Sequence, residues 1–188
     1  MTIAVVINVA FVDAVDDAID ETTNTSVEAP ADSADGAASD GEAASDDEEL
    51  GTTHDNPAPL GSAITGDDWT VTVNSVKTAD KDSIGQAPAA GSTLLVVNMT
   101  ATYNGDDEQG ESAWANVKFV TADGTTIDST SGSTLFIPDG GFDSLKTVYS
   151  GASVKGNDML EVPADNWHDG VLAVSPGLLS DDTFVAVK

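Results

Sequence analysis

The chain has 188 residues, with 33 acidic side chains, six lysines, no arginine and no cysteine, for a formal net charge of −27. That balance excludes a nucleic-acid platform and a docking face for anionic lipid, because both need Lys or Arg to replace counterions. Without cysteine there is no disulfide framework, no thiolate nucleophile and no Cys-ligated zinc, so stability must come from a hydrophobic core.

The first segment, residues 1–20, begins with twelve residues of which only Thr2 and Asn8 are polar. Apolar residues recur at helical steps (Ile3, Val6, Ile7, Ala10, Ala14, Ala18) until Asp13, Asp16, Asp17 and Asp20 crowd the end. The pattern predicts a short apolar helix. A membrane-spanning helix needs roughly 17–25 apolar residues, and a signal peptide needs a basic start; neither pattern is met. Two readings stay open: the outer end of a membrane anchor that begins upstream, or an amphipathic helix. Acids directly after the apolar run fit an exported flank, because a cytoplasmic one favours Lys and Arg. Any membrane contact is expected through this segment alone.

Residues 21–59 form the second segment. Residues 13–55 hold fifteen Asp or Glu and no Lys or Arg. Val27 and Leu50 are the only large apolar side chains of the second segment. Such a stretch buries too little area to offset its ordering entropy, so it is expected to be a disordered acidic stalk. A neutral flexible chain of this length spans roughly 35 Å, and like charges extend it further.

From residue 60 to 188 the apolar period is two. Trp69, Val71 and Val73 alternate with polar residues. Leu95, Val97, Met99, Ala101 and Tyr103 define one face of a strand whose other face carries Leu94 and Val96, which predicts a central strand. Ala113, Ala115, Val117 and Phe119 make the next face, and Asp123-Gly124 signals a hairpin into 125–129. Further runs are expected at Leu135 and Ile137, at 145–149, at Val154, at 159–162, at 171–174 and at 184–187. About seven to nine short strands with turns at intervals of about ten residues predict an all-β, antiparallel sandwich or barrel. Trp69, Trp114 and Trp167 lie far apart in sequence and read as packing residues; the alternative is a stacking platform for a sugar or peptide.

No catalytic set emerges. His54 falls in the expected stalk and His168 in a turn, so neither a zinc site nor a Ser-His-Asp triad is assembled. No Gly-x-Ser-x-Gly elbow is present, and no carboxylate is flanked by an evident apolar pocket, as a glycosidase acid would be. Calcium is the one ion the loops suggest, because hard cations take carboxylate and carbonyl oxygens. Asp106 and Asp107, beside Glu108 and Glu111, are one candidate set; Asp139 and Asp143, around Gly140-Gly141, are the other.

The stretch Gly66–Val73, the run Gly91–Asn104 ending in Tyr103-Asn104, Phe119 with Asp123-Gly124, and Gly151–Gly156 leading to Leu160-Glu161-Val162-Pro163 together resemble a bacterial domain-of-unknown-function family. The resemblance covers about residues 61–188. It implies an immunoglobulin-like sandwich. It also implies placement on lipoproteins and membrane-anchored proteins of Gram-positive bacteria, with kinship to a secreted mycobacterial immunoprotective antigen of the same fold. The chain departs from that pattern in lacking the lipobox cysteine and in an unusually acidic 105–111 loop. No catalytic residues transfer. The expected function is a non-catalytic binding module, outside the cell or on its surface, for a protein or peptide. The alternatives are a structural or self-associating envelope component and, last, a hydrolase.

Overall fold

The computed structural model describes residues 25–30, 50–132 and 134–188. The apolar segment 1–20 and most of the acidic segment lie outside the described residues. Eleven strands are found among the described residues. A five-stranded sheet runs β1 (Ser26–Glu28), β2 (Ala63–Thr65), β3 (Trp69–Ala79), β4 (Ser92–Tyr103), β9 (Ser153–Pro163). A four-stranded sheet runs β11 (Thr183–Ala186), β10 (Val171–Ser175), β6 (Asn116–Val120), β7 (Thr126–Ile127). The short strands β5 (Glu111–Ser112) and β8 (Thr147–Val148) pair with each other. Every strand pair is antiparallel, and the chain is a β-sandwich.

The core lies between the two large sheets. Val71, Val73, Leu95, Val97, Leu160 and Val162 from one sheet meet Val117, Phe119, Leu172, Val174 and Val185 from the other. The two-residue rhythm of Leu95–Tyr103 places that face inward, and β4 is central, paired on both sides with β3 and β9. Its outer face is covered as well: Leu94 is buried with Phe136 and Met159.

The alternation of β3 breaks at Asn74, where an irregularity in register separates the pairs Val73↔Met99 and Ser75↔Asn98. One extra residue switches the parity, so Val76 joins the inward face opposite Val97 and the strand continues to Ala79. The displaced Asn74 amide donates to Asn98 Oδ1 (3.1 Å) and Thr100 Oγ1 (3.0 Å). Asn98 in turn donates to Asn157 Oδ1 (2.7 Å), and Asn157 to the Asp139 carbonyl (2.6 Å). This amide ladder ties three strands and a loop together across the outer face.

Three expectations are corrected. First, parts of the acidic segment are ordered. Val27 pairs with Ile64 in an edge strand, and Gly51 and Ala58 are stitched to β11 by Phe184 N–H to Gly51 O (2.7 Å) and Ala58 N–H to Phe184 O (2.8 Å). Open strand edges supply backbone bonds that need no apolar side chain. His54 consequently has a fixed place, edge-on to the Phe184 ring at 6.3 Å. Second, Leu135 and Ile137 form no strand and are exposed, while Phe136 between them is buried. Third, Val154 and the run 159–162 belong to one strand, β9, rather than two.

Gly156 shows why β9 reads poorly as a strand. A Cβ there would lie 2.4 Å from Phe142 Cα and 2.6 Å from its nitrogen. Only glycine lets the 140–142 segment cross so close, where it pairs along the edge through Phe142 N–H to Asn157 O (2.9 Å) and Asn157 N–H to Gly140 O (2.9 Å).

Candidate functional site

One end of the sandwich opens as a cleft of about 420 Å³, within the range of small-ligand sites. Its walls come from both sheets. The β2–β3 turn gives Asp67, Asp68 and Trp69; β5 and the residues after it give Glu111, Ser112 and Trp114; the β10–β11 connection gives Pro176 to Ser180.

Each wall is fixed by local chemistry. The β2–β3 turn closes through Gly66 N–H to Trp69 O (2.9 Å), and Asn104 N–H binds the Asp68 carbonyl (2.7 Å). A Cβ on Gly66 would lie 3.0 Å from both Pro176 Cγ and Ser180 Oγ, so glycine there lets the turn of one sheet seat against the loop of the other. The β10–β11 loop is rooted by Asp182, which takes a hydrogen bond from Ser175 and an ion pair from Lys118 Nζ at 3.1 Å. Trp69 is 5% exposed and packs on Tyr103 at a centroid distance of 5.0 Å. The Tyr103 hydroxyl meets the Asp107 N–H at 3.4 Å, which anchors the loop after β4.

The chemistry of the cleft is mixed. Asp67, Asp68 and Glu111 are exposed carboxylates, and no Lys, Arg or His is among the lining residues. Trp114 is half-buried, with its indole Nε1 shielded and without a hydrogen-bond partner. A buried donor left unpaired costs about 1–3 kcal/mol. Leu178 and Leu179 stand 78% and 86% exposed.

The sequence reading did not find this site. Trp69 and Trp114 are 45 positions apart, yet sheet closure brings them to one cleft, while Trp167 stacks on His168 (3.8 Å) outside it. The calcium candidates are placed differently. The Asp107 carboxylate caps the Gln109 N–H (2.8 Å) and that of Asp143 caps the Leu145 N–H (3.2 Å), each within its own turn. Asp106 and Asp139 are exposed loop residues. Among the described residues no three of His, Cys, Asp or Glu gather to hold a metal, so Asp106, Asp107, Asp139 and Asp143 are not brought into one ligand set.

Two carboxylates behave unusually. Asp82 is buried, and its Oδ1 accepts from Gln86 N–H (2.7 Å) and Ile84 N–H (3.1 Å) while Oδ2 accepts from Ile137 N–H (3.1 Å). Burial pushes its pKa up, but the backbone donors of Gln86, Ile137, Ile84 and Gly85 outweigh burial and hold it below the ordinary 3.8. Asp158 lies on the inward parity of β9, opposite Val97. Burial raises its pKa, the Met159 N–H opposes that, and the charge of Asp128 adds to it. An acid set among apolar neighbours therefore does exist, contrary to expectation, but it lies away from the cleft lining.

A comparison with curated proteins finds no match. Two solved structures are similar. One is a conserved hypothetical protein from Bacillus anthracis, at 18% identity and TM-score 0.45, covering 62% of this chain and 87% of the other. The other is an uncharacterized β-sandwich protein from Clostridium difficile 630, at 12% identity and TM-score 0.46, covering 78% and 100%. The sequence matches the description "Domain of unknown function (DUF4352)" over residues 58–183, and the chain belongs to that family.

Proposed function

We propose that this chain is a non-catalytic binding module that presents its end cleft to a peptide or protein partner outside the cytoplasm. The observation that carries this is the cleft: its walls are held in place by hydrogen bonds and close packing, and it offers carboxylates and indole surface together. Rigid sheets that display loop residues at one end are a common way to build a recognition surface. An immunoglobulin-like lineage, membrane anchoring by the N-terminal segment or secretion, and kinship to the secreted antigen fold belong to the same reading.

The test is selection of a displayed random peptide library against the full chain. Enriched peptides should bind the wild type and lose binding to Trp114→Ala, whose melting temperature should fall because Trp114 also packs on the core, but whose amide spectrum should still show the folded sandwich at the assay temperature. Enrichment indifferent to Trp114, or no enrichment, overturns the reading. A stable oligomer in light scattering with no peptide selected would favour the structural alternative. Protease shaving of intact cells should remove the domain if it is displayed outside.

A further inference from the structure

We infer that the cleft recognises a cationic side chain, Lys or Arg, set beside an apolar residue in an extended peptide; this rests on the binding reading above. Three observations converge. The first is charge without a partner inside the molecule. Among the described residues the only Lys–carboxylate ion pair is Lys118–Asp182, so Asp67, Asp68 and Glu111 have no cation beside them. Among the described residues the one hydrogen bond these three carboxylates take is donated by the Ser112 N–H to Glu111 Oε2 (3.2 Å).

The second is the nature of the walls. A cationic head with an aliphatic stem fits a site that offers carboxylates at one point and indole at another, through ion pairing, cation–π attraction and stem burial together. Trp114, half-buried, supplies indole surface to the lining. Leu178 and Leu179 extend the apolar side beyond the carboxylates, where a neighbouring apolar residue of the peptide would lie.

The third is the field of the whole chain. At a net charge of −27 it repels anionic ligands and steers cationic ones inward. A neutral sugar can donate hydrogen bonds to these carboxylates but leaves their charge uncompensated, and a second copy of this chain would bring its own negative charge.

The probe is a short acetylated and amidated peptide carrying Leu-Lys-Leu, compared with the same peptide bearing Nε-acetyllysine. The readout is amide shifts of the labelled full chain. The lysine peptide should perturb residues 66–69, 111–114 and 176–180. Its affinity should fall roughly tenfold or more on acetylation, and likewise in Asp67→Asn/Asp68→Asn/Glu111→Gln. These carboxylates are exposed and add to the chain's negative charge, so the triple variant should melt no lower than wild type. Equal binding of both peptides in the cleft overturns the cationic preference and leaves the binding reading standing. Shifts confined to other surfaces overturn this site. No binding of either peptide, with an empty library selection, overturns both.

Discussion

Asp82 does at residue scale what no strand does: one carboxylate holds two segments, its own turn and the 135–137 stretch. Through it Phe136 is held over Leu94 and Met159. Asp82→Asn keeps the shape but weakens charge-assisted acceptance, and should lower the melting temperature by several degrees. Hydrogen exchange at Ile137 should quicken; an unchanged melt and unchanged exchange would show that the staple is idle. The pH dependence has a definite sign. Because the folded carboxyl titrates below its unfolded value of about 3.9, its stabilisation is complete above that value. It is lost as pH falls through the lower folded one. Asp82→Asn should therefore lack that part of the acid limb. Asp158 works the other way. Its folded pKa is raised, so the folded state is penalised as pH rises from the unfolded value of about 3.9, and the penalty is complete above the raised folded value. Asp158→Asn should melt higher than wild type at pH 7, with the gap closing below pH about 4. A constant gap across that range would show that ionisation is not the cause. Asp158 was legible in principle, since 154, 156, 158, 160 and 162 share one parity. Lys155-Gly156-Asn157-Asp158 reads instead as a turn, and the run is split there.

At the scale of elements, the sequence tells most where both faces of a strand are buried. In β4 the inner set from Leu95 to Tyr103 is apolar throughout and the outer set carries Leu94 and Val96, so its central position follows from composition. The hairpin at Asp123-Gly124 is equally plain, because Gly124 holds φ +84° and Thr121 N–H bonds Thr125 O at 2.9 Å. It tells least where the backbone does the work. Strand β1 is three residues whose partner is an open edge, and no side chain announces it. The bulge at Asn74 hides the second half of β3, because one inserted residue moves the alternation out of phase. Strand β9 is paired with β4 along its whole length, and its glycine at 156 answers to the 140–142 crossing, which is a property of tertiary packing. Gly156→Ala tests that crossing. The new methyl would meet Phe142 backbone at 2.4 Å, and backbone cannot swing aside as a flexible side chain does. The expected cost is about 1–3 kcal/mol in denaturant unfolding, with faster exchange at Asn157 and Phe142 as the segment lifts. A neutral result would mean that the crossing segment moves freely and is not part of the folded unit.

For the whole molecule, charge is the property most visible in the sequence and the one that the site inherits. The cleft itself was not legible: its walls are a turn of one large sheet, a connection of the other and the short strand β5 with the residues after it, and the distance in sequence between Asp67 and Ser180 conceals their meeting. The sign of its charge was legible, since 33 acids against six lysines leave few ways to build a wall that is not acidic. That excess also loads the fold. Self-repulsion favours expanded states, and salt relieves it because the screening length shrinks from about 10 Å at 0.1 M to about 3 Å at 1 M. Melting temperature should therefore rise by several degrees as sodium chloride increases from about 0.05 M to 1 M. Binding of a lysine peptide should respond oppositely, because the same ions screen the attraction that steers the cation in. Two measurements on one sample, a melt and a titration at each salt concentration, separate these effects. A non-specific gain in solvent quality would strengthen both together. Only a fold strained by its own charge, with an acidic cleft as its recognition surface, gains stability while losing affinity over the same range.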